Sequence, residues 1–413
     1  MIMRRMRRYG LIVSLNVAAI AFYVFIGIRM GFFTHMSATL FWSVDSNIYR
    51  DVANWLYGAG PNTVESKYRP FLFPLLLGAA DRLGGATGIW VLNFLCWLGT
   101  VNLTAEAVRR MTGRAVLGAI AFMVLASNIS LIVLSFQALT ESTNALLESA
   151  WIVGLAVAAV PPARPRDIVL LLLPLTLMTV VRPGNEVVLL VGAVLLTVAI
   201  WRMPRSRGKA VLATTLCCLP LIFQVGLMAV TNHFFGLSAA GASQFKGYYA
   251  SQVYASVNGL PSDLKAAQLE VEPMSNQELA AFLLTHPGAS FHIFFSNLRQ
   301  NLTSGSNFID IGTLPTLAAA VRRENKVYVI LDLIFVPIVA IAIAIRRDVR
   351  LVLLSIFLAL LIGLCSLINT QGDRYVDMAV PLWAAAYALA ASDLLPFVSQ
   401  WVVHLRHAVK GAA

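Results

Sequence analysis

Charge is scarce in this sequence. Only 12% of its 413 residues are Asp, Glu, Lys or Arg, while 58% are hydrophobic, which excludes an ordinary soluble domain, where about a quarter of the residues carry charge. Acids are the scarcer sign, 20 against 31 basic residues. The four cysteines, Cys96, Cys217, Cys218 and Cys365, all fall inside apolar runs with no CxxC pair, so neither a disulfide framework nor a cysteine metal knuckle is expected. Histidine is sparse too, and His233, His286 and His292 lack ligand spacing, which argues against zinc chemistry. There is no Walker motif, no GxSxG and no HExxH, so nucleotide-driven transport is excluded as a self-contained activity.

What is present is apolar length. The mean hydropathy is +0.75, and runs of about 20 residues, long enough to cross a bilayer, recur near 11–33, 87–108, 115–136, 142–160, 167–181, 184–201, 210–230, 326–345, 351–368 and 376–395. The expected fold is an all-α integral membrane protein of about ten transmembrane helices in a single domain, 1–413. The first run is too long for a signal peptide and ends in no small-residue cleavage site, so it reads as a retained anchor with a cytoplasmic N-terminus. The inside connections are then "RRMTGR", "PPARPRD", "WRMPRSRGK" and "RRDVR", basic as the positive-inside rule requires. This use of basic residues accounts for the net charge of +11 without nucleic acid. The main discord is "RRENK" at 322–326, on the outer side.

Two long segments face outward, 34–86 and 231–325. The first contains "SVDSNIYRDVANWLYGAG", an amphipathic surface helix by its spacing, with Asp45 near its start and Tyr49 one turn on. Asp45 reads as a helix cap or as a working carboxylate. Lys67 and Arg69 follow in "ESKYRPFLFP", as lipid-headgroup contacts or as anion ligands. The second segment reads as mainly helical, with a capping pattern from Ser275 to Glu278. The short outer turns add Glu141 in "ALTESTNALLE", Arg182 in "VVRPGNEVV", and Arg374 and Tyr375 in "GDRYVDMAVP". Glu148, seven residues beyond Glu141, is an ionisable group placed within a span, where such groups usually face a cavity or a partner.

These pieces in this order, an acid after the first span, "YRPFLFPLLLG", "ALTESTNALLE", "RPGNEVVLL" and "GDRYVDMAVPLWAAAYAL", resemble the GT-C glycosyltransferases that use polyprenyl-phosphate sugars, such as bacterial protein mannosyltransferases and lipid A aminoarabinose transferases. The resemblance runs from residue 1 to about 395 and implies a transferase of the inner membrane, working on its periplasmic face with a polyprenyl-phosphate sugar donor and a lipid, glycan or protein acceptor. It places the catalytic carboxylate at Asp45. The family often has a second adjacent acid where this chain has Ser46, so neither a metal nor another cofactor is expected. Transfer from a lipid phosphate needs a base for the acceptor hydroxyl and cations for the leaving phosphate. Asp45 suits the first role, and Arg182, Arg374, Lys67, Arg69 and Tyr375 the second, with Tyr49, Glu141 and Glu148 as acceptor contacts or structural support. Larger relatives carry an outer domain after the last span, which this sequence does not show, so a large folded acceptor is less strongly implied. Two other readings remain open: an O-antigen ligase or polymerase working through His286, His292 or Arg299, and a transporter or flippase for lipid-linked sugars using Glu148 and Asp332.

Overall fold

Inside a bilayer a backbone amide has no water to bond, so an apolar chain satisfies its backbone within helices. The computed structural model describes residues 2–160, 162–182, 184–202, 207–260, 264–304, 315–368, 374 and 379–411, and every regular element among them is a helix. Among the described residues, five helical stretches are long and apolar enough to cross a membrane, Ile12–Arg29, Leu72–Thr112, Arg207–Asn232, Pro315–Arg346 and Val349–Ser366, and the number is up to seven if each of two bent pairs is one span. That is fewer full-length spans than the ten expected. Expected spans at 142–160, 167–181 and 184–201 fall on the helices Glu141–Val157, Pro165–Thr179 and Val188–Arg202. These run 15 to 17 residues, or about 22 to 26 Å of rise, short of a full hydrocarbon core.

The two bent pairs differ in kind. Ala115–Ser127 and Ile129–Ser135 turn by 57° where Asn128 leaves the helical region and its side chain accepts from Leu131 N at 2.6 Å. Asn276–Thr285 and Pro287–Thr303 meet at 94° around Pro287, which cannot continue a helix hydrogen bond. The second pair lies in the 231–325 segment, and its capping box forms in full: Glu278 N donates to Ser275 Oγ at 3.2 Å and Ser275 N to Glu278 Oε2 at 2.7 Å. With Ala240–Gln244, Ser251–Val257 and Leu264–Val271 it makes that segment mainly helical.

The 34–86 segment sets up the site. Its surface helix, Val44–Leu56, is capped by Ser43, whose Oγ accepts from Ser46 N at 3.0 Å and shares a 2.7 Å hydrogen bond with Ser46 Oγ. Ser43 therefore does the capping, and the carboxylate of Asp45 is left for other work. The helix buries Ser46, Tyr49, Val52 and Ala53. Downstream, the Leu72–Thr112 helix is broken at Gly84 and Gly85. Gly85 sits at φ 57°, ψ −142°, and a Cβ on Gly88 would lie 2.1 Å from the carbonyl oxygen of Ala80, so only glycine lets the chain fold back this tightly.

Aromatic packing joins these parts. The ring of Tyr23 lies 4.6 Å from Trp97 and 4.6 Å from Phe136, and its hydroxyl accepts from Ser135 Oγ at 3.0 Å. A second cluster centres on Trp151, edge-on to Phe357 at 4.7 Å. Backbone hydrogen bonds tie the loops at one end of the bundle: Ala138 N to Leu40 O at 2.9 Å, and Leu72 N to Val180 O at 3.1 Å. These two ties bring the segments carrying Asp45, Arg69, Glu141 and Arg182 together.

The Glu141–Val157 and Pro165–Thr179 helices pack closely at Gly154, where an added Cβ would meet Leu170 O at 2.4 Å. Gly154→Val should lower stability by about 1–3 kcal/mol, as overpacking does. Gly363→Ala, whose added methyl meets nothing within 4 Å, should not. Thermal unfolding in detergent compares the two.

Candidate active site

Five charged side chains from five separate stretches of chain meet around one cavity. Arg69 Nη2 donates to Asp45 Oδ1 at 2.5 Å and Arg374 Nη1 to Asp45 Oδ2 at 2.8 Å, so each oxygen of that carboxylate faces its own guanidinium. Arg374 Nε donates to Glu141 Oε1 at 2.6 Å, and Arg182 Nη1 reaches the same oxygen at 3.0 Å. The result is a line of alternating sign: Arg182, Glu141, Arg374, Asp45, Arg69. Among the described side chains, three cations face two carboxylates.

Local structure aims each group. Arg182 follows the Pro165–Thr179 helix in a turn where its N–H bonds Met178 O at 3.1 Å and Gly184 takes φ 93°. Glu141 opens its helix without a side-chain cap from Thr140, and so lies at the positive end of the helix dipole. Arg69 stands over the ring of Tyr49 at 5.0 Å, a cation–π contact, and its Nε is buried with no partner among the described residues. Tyr49 is itself fixed by an edge-to-face contact with Phe73 at 5.0 Å.

The cavity has a polar wall and an apolar one. Asp45, Tyr49, Arg69, Arg182, Asn185 and Arg374 form the first, and Leu361, Leu364, Cys365 and Ile368 the second. Burial alone would raise the pKa of Asp45, but the guanidiniums of Arg374 and Arg69 outweigh it and hold the carboxyl below its ordinary value of 3.8. Asp45 is therefore ionised at neutral pH. Burial pushes the Tyr49 hydroxyl up, so near neutral pH it offers a proton rather than a charge.

Of the residues singled out from sequence, Asp45, Tyr49, Arg69, Arg182 and Arg374 line the cavity, and Glu141 binds two of its arginines. Lys67 stays apart, with its ammonium 4.9 Å over the ring of Tyr68. Tyr375 lies outside the described residues. Glu148 is fully buried behind the site and accepts from Asn144 Nδ2 at 2.8 Å. Asn144 accepts in turn from Asn185 Nδ2 at 2.6 Å. Sequence reading missed these two asparagines, although Glu141, Asn144 and Glu148 recur at helical spacing on one face. Glu148 apart, the residues of the alternative readings lie elsewhere: His292 and Arg299 are exposed, His286 Nδ1 bonds Phe282 O at 2.9 Å, and Asp332 is bonded by the hydroxyl of Tyr387 in a separate, largely apolar cavity of about 470 Å³. Among the described residues no three His, Cys, Asp or Glu side chains group as a metal site would.

Glu141 is the acceptor that Arg182 and Arg374 share. Glu141→Leu should destabilise the protein by the 3–5 kcal/mol or so typical of breaking a buried charge pair, whereas Glu141→Gln keeps an acceptor oxygen and should cost less. Thermal unfolding of the two variants tests that order, and equal, wild-type-like curves would show that the line holds without the Glu141 carboxylate.

No family model and no curated protein matches this chain. Among solved structures it is similar to ArnT from Cupriavidus metallidurans, crystallised bound to undecaprenyl phosphate, at 14% sequence identity and a TM-score of 0.46. The match covers 97% of this chain, and the chain spans 64% of that protein. A likeness of this degree does not bear on the chemistry of the site, which follows from the charges described above.

Proposed function

We propose that this protein transfers a sugar from a polyprenyl-phosphate donor to a hydroxyl of a lipid, glycan or protein acceptor, at the periplasmic face of the inner membrane. The observation that supports this reading best is the convergence of Arg69, Arg182 and Arg374 on Asp45 and Glu141, beside an apolar wall. Guanidiniums bind phosphate through paired N–H groups, and the spare Nε of Arg69 is a donor already in place. The apolar wall suits the lipid to which such a phosphate is attached.

In the reaction, the acceptor hydroxyl oxygen attacks the anomeric carbon and gives its proton to the Asp45 carboxylate. The bond from that carbon to the phosphate oxygen breaks, its electron pair stays on the phosphate, and the polyprenyl phosphate leaves bound by arginine. The positive charge needed there is supplied by side chains.

At rest, Asp45 is a poor base, because two guanidiniums hold its pKa low and a base works best when its pKa lies near the working pH. An incoming phosphate competes for those same guanidiniums. As Arg69 and Arg374 turn to it, Asp45 loses its cations, gains an anionic neighbour, and becomes more basic. The donor therefore binds first and prepares the base for the acceptor.

This order has a signature in the pH profile. The donor kcat/KM reports the free enzyme, in which Asp45 stays ionised down to below 3.8, whereas kcat reports the complex. The acid limb of kcat should lie at higher pH than that of kcat/KM, and limbs in the reverse order would rule out donor-first activation. Asp45→Asn should cost about 10²–10⁴-fold in rate without unfolding the helix that Ser43 caps. Arg374→Ala should cost about 10²-fold or more, and lysine should rescue it poorly because it loses the forked donor geometry. Mass spectrometry of lipids and surface glycans from cells with and without the protein should find a polyprenyl-phosphate sugar accumulating in its absence, together with a glycan one residue short. An active Asp45→Asn variant would defeat the proposal.

A further inference from the structure

Glu148 is a fully buried carboxyl that the transfer does not use. Its Oε1 accepts from Asn144, and its Oε2 has no partner among the described residues. Oε1 accepts with or without a proton on the other oxygen, so the amide of Asn144 turns its NH₂ to Glu148 and its oxygen outward. That oxygen accepts from Asn185 Nδ2, which also donates to Met178 O at 3.0 Å. Both amide hydrogens of Asn185 are then spent. Its Oδ1 remains, on a residue 2% exposed that lines the cavity three positions after Arg182.

A bare acceptor oxygen is out of place in a site built of guanidiniums. It cannot bind an ionised phosphate, because lone pair would face lone pair. It can accept from a neutral hydroxyl, and the hydroxyls nearest a bound donor phosphate are those of the sugar esterified to it. An ammonium group on the sugar is disfavoured there by the three arginines.

We propose that Asn185 Oδ1 is a sugar-reading contact of this site, and that Glu148 acts through Asn144 as the positioning residue that holds it toward the cavity. This rests on the reading of the arginines as the donor-phosphate site. The three residues then divide the donor between them and the arginines: guanidiniums take the phosphate, and the relay takes a ring hydroxyl.

The test measures binding of two kinds of lipid to purified protein at pH 8, where a phosphate monoester is ionised. One is undecaprenyl phosphate, and the other is the same lipid bearing glucose, mannose or galactose. In Asn185→Leu the ratio of sugar-lipid to bare-lipid affinity should fall about three- to tenfold for at least one sugar, the effect of losing one hydrogen bond, with bare-lipid affinity unchanged. Glu148→Leu should lower the ratio equally. Glu148→Gln, which keeps an oxygen for Asn144, should preserve it, and the double variant Asn185→Leu with Glu148→Leu should be no worse than Asn185→Leu alone. Thermal unfolding in detergent confirms that each variant is folded.

A ratio unmoved for all three sugars, or both lipids weakened alike, overturns the role of Asn185. A ratio that falls in Asn185→Leu but not in Glu148→Leu overturns the relay, as does failure of the glutamine variant to preserve it. Failure of the underlying site looks different: wild-type protein would not bind undecaprenyl phosphate, and Arg374→Ala would change nothing.

Discussion

The shared oxygen of Glu141 is the constraint on which the site depends. It accepts from Arg182 and from Arg374 across 41 and 233 positions of sequence, in a carboxylate with no exposed surface. Burying such a charge is expensive unless pairing and hydrogen bonds offset the lost hydration, and here two cations share the work. Arg374 then has a second edge for Asp45, and Asp45 a second oxygen for Arg69. The line starts and ends on a guanidinium, so cations occupy both of its ends.

Much of this was legible in the sequence, because a membrane chain makes polar residues conspicuous. Asp45, Glu141, Arg182 and Arg374 stand out as charges between apolar runs, and the structure gathers them with Arg69 and Tyr49. Lys67 could not be separated from Arg69 by spacing. Two residues apart on a short turn, they point to different neighbours, Lys67 to Tyr68 and Arg69 to Asp45. The cap could be read either way, since Ser43 and Asp45 are both good capping residues; only the hydrogen bond from Ser46 N to Ser43 decides it. The asparagines were not legible. Neither carries charge, and their role appears only when the turn at Gly184 brings Asn185 back onto Asn144. The helix lengths were not legible either: hydropathy marks an apolar run at 167–181 but does not fix where its helix, Pro165–Thr179, begins and ends.

The departure at Ser46 has a local explanation. Its hydroxyl is paired with Ser43 Oγ and its amide with the same atom, so the position serves the helix start. An acid there would lose the short hydroxyl pair and bring a further negative charge beside Asp45. In this chain the residue after Asp45 is spent on holding the helix.

The apolar wall bears on how the proposed donor would be held. Leu361, Leu364 and Ile368 belong to the stretch of chain that ends the Val349–Ser366 helix and leads on to Arg374, so the groups proposed for the lipid and for the phosphate lie within about four helical turns of sequence from each other. Asn297 and Asn301, on the helix Pro287–Thr303, donate to Ser366 O and Cys365 O at 3.2 Å each, bonding carbonyls in the last turn of Val349–Ser366, where the regular helical ladder runs out. The 231–325 segment is thus tied to the backbone of the helix that carries the apolar wall. A substitution at Leu361 or Leu364 can reshape the wall while leaving these bonds intact, whereas loss of Asn297 and Asn301 would free the helix end that carries the wall and, beyond it, the approach to Arg374.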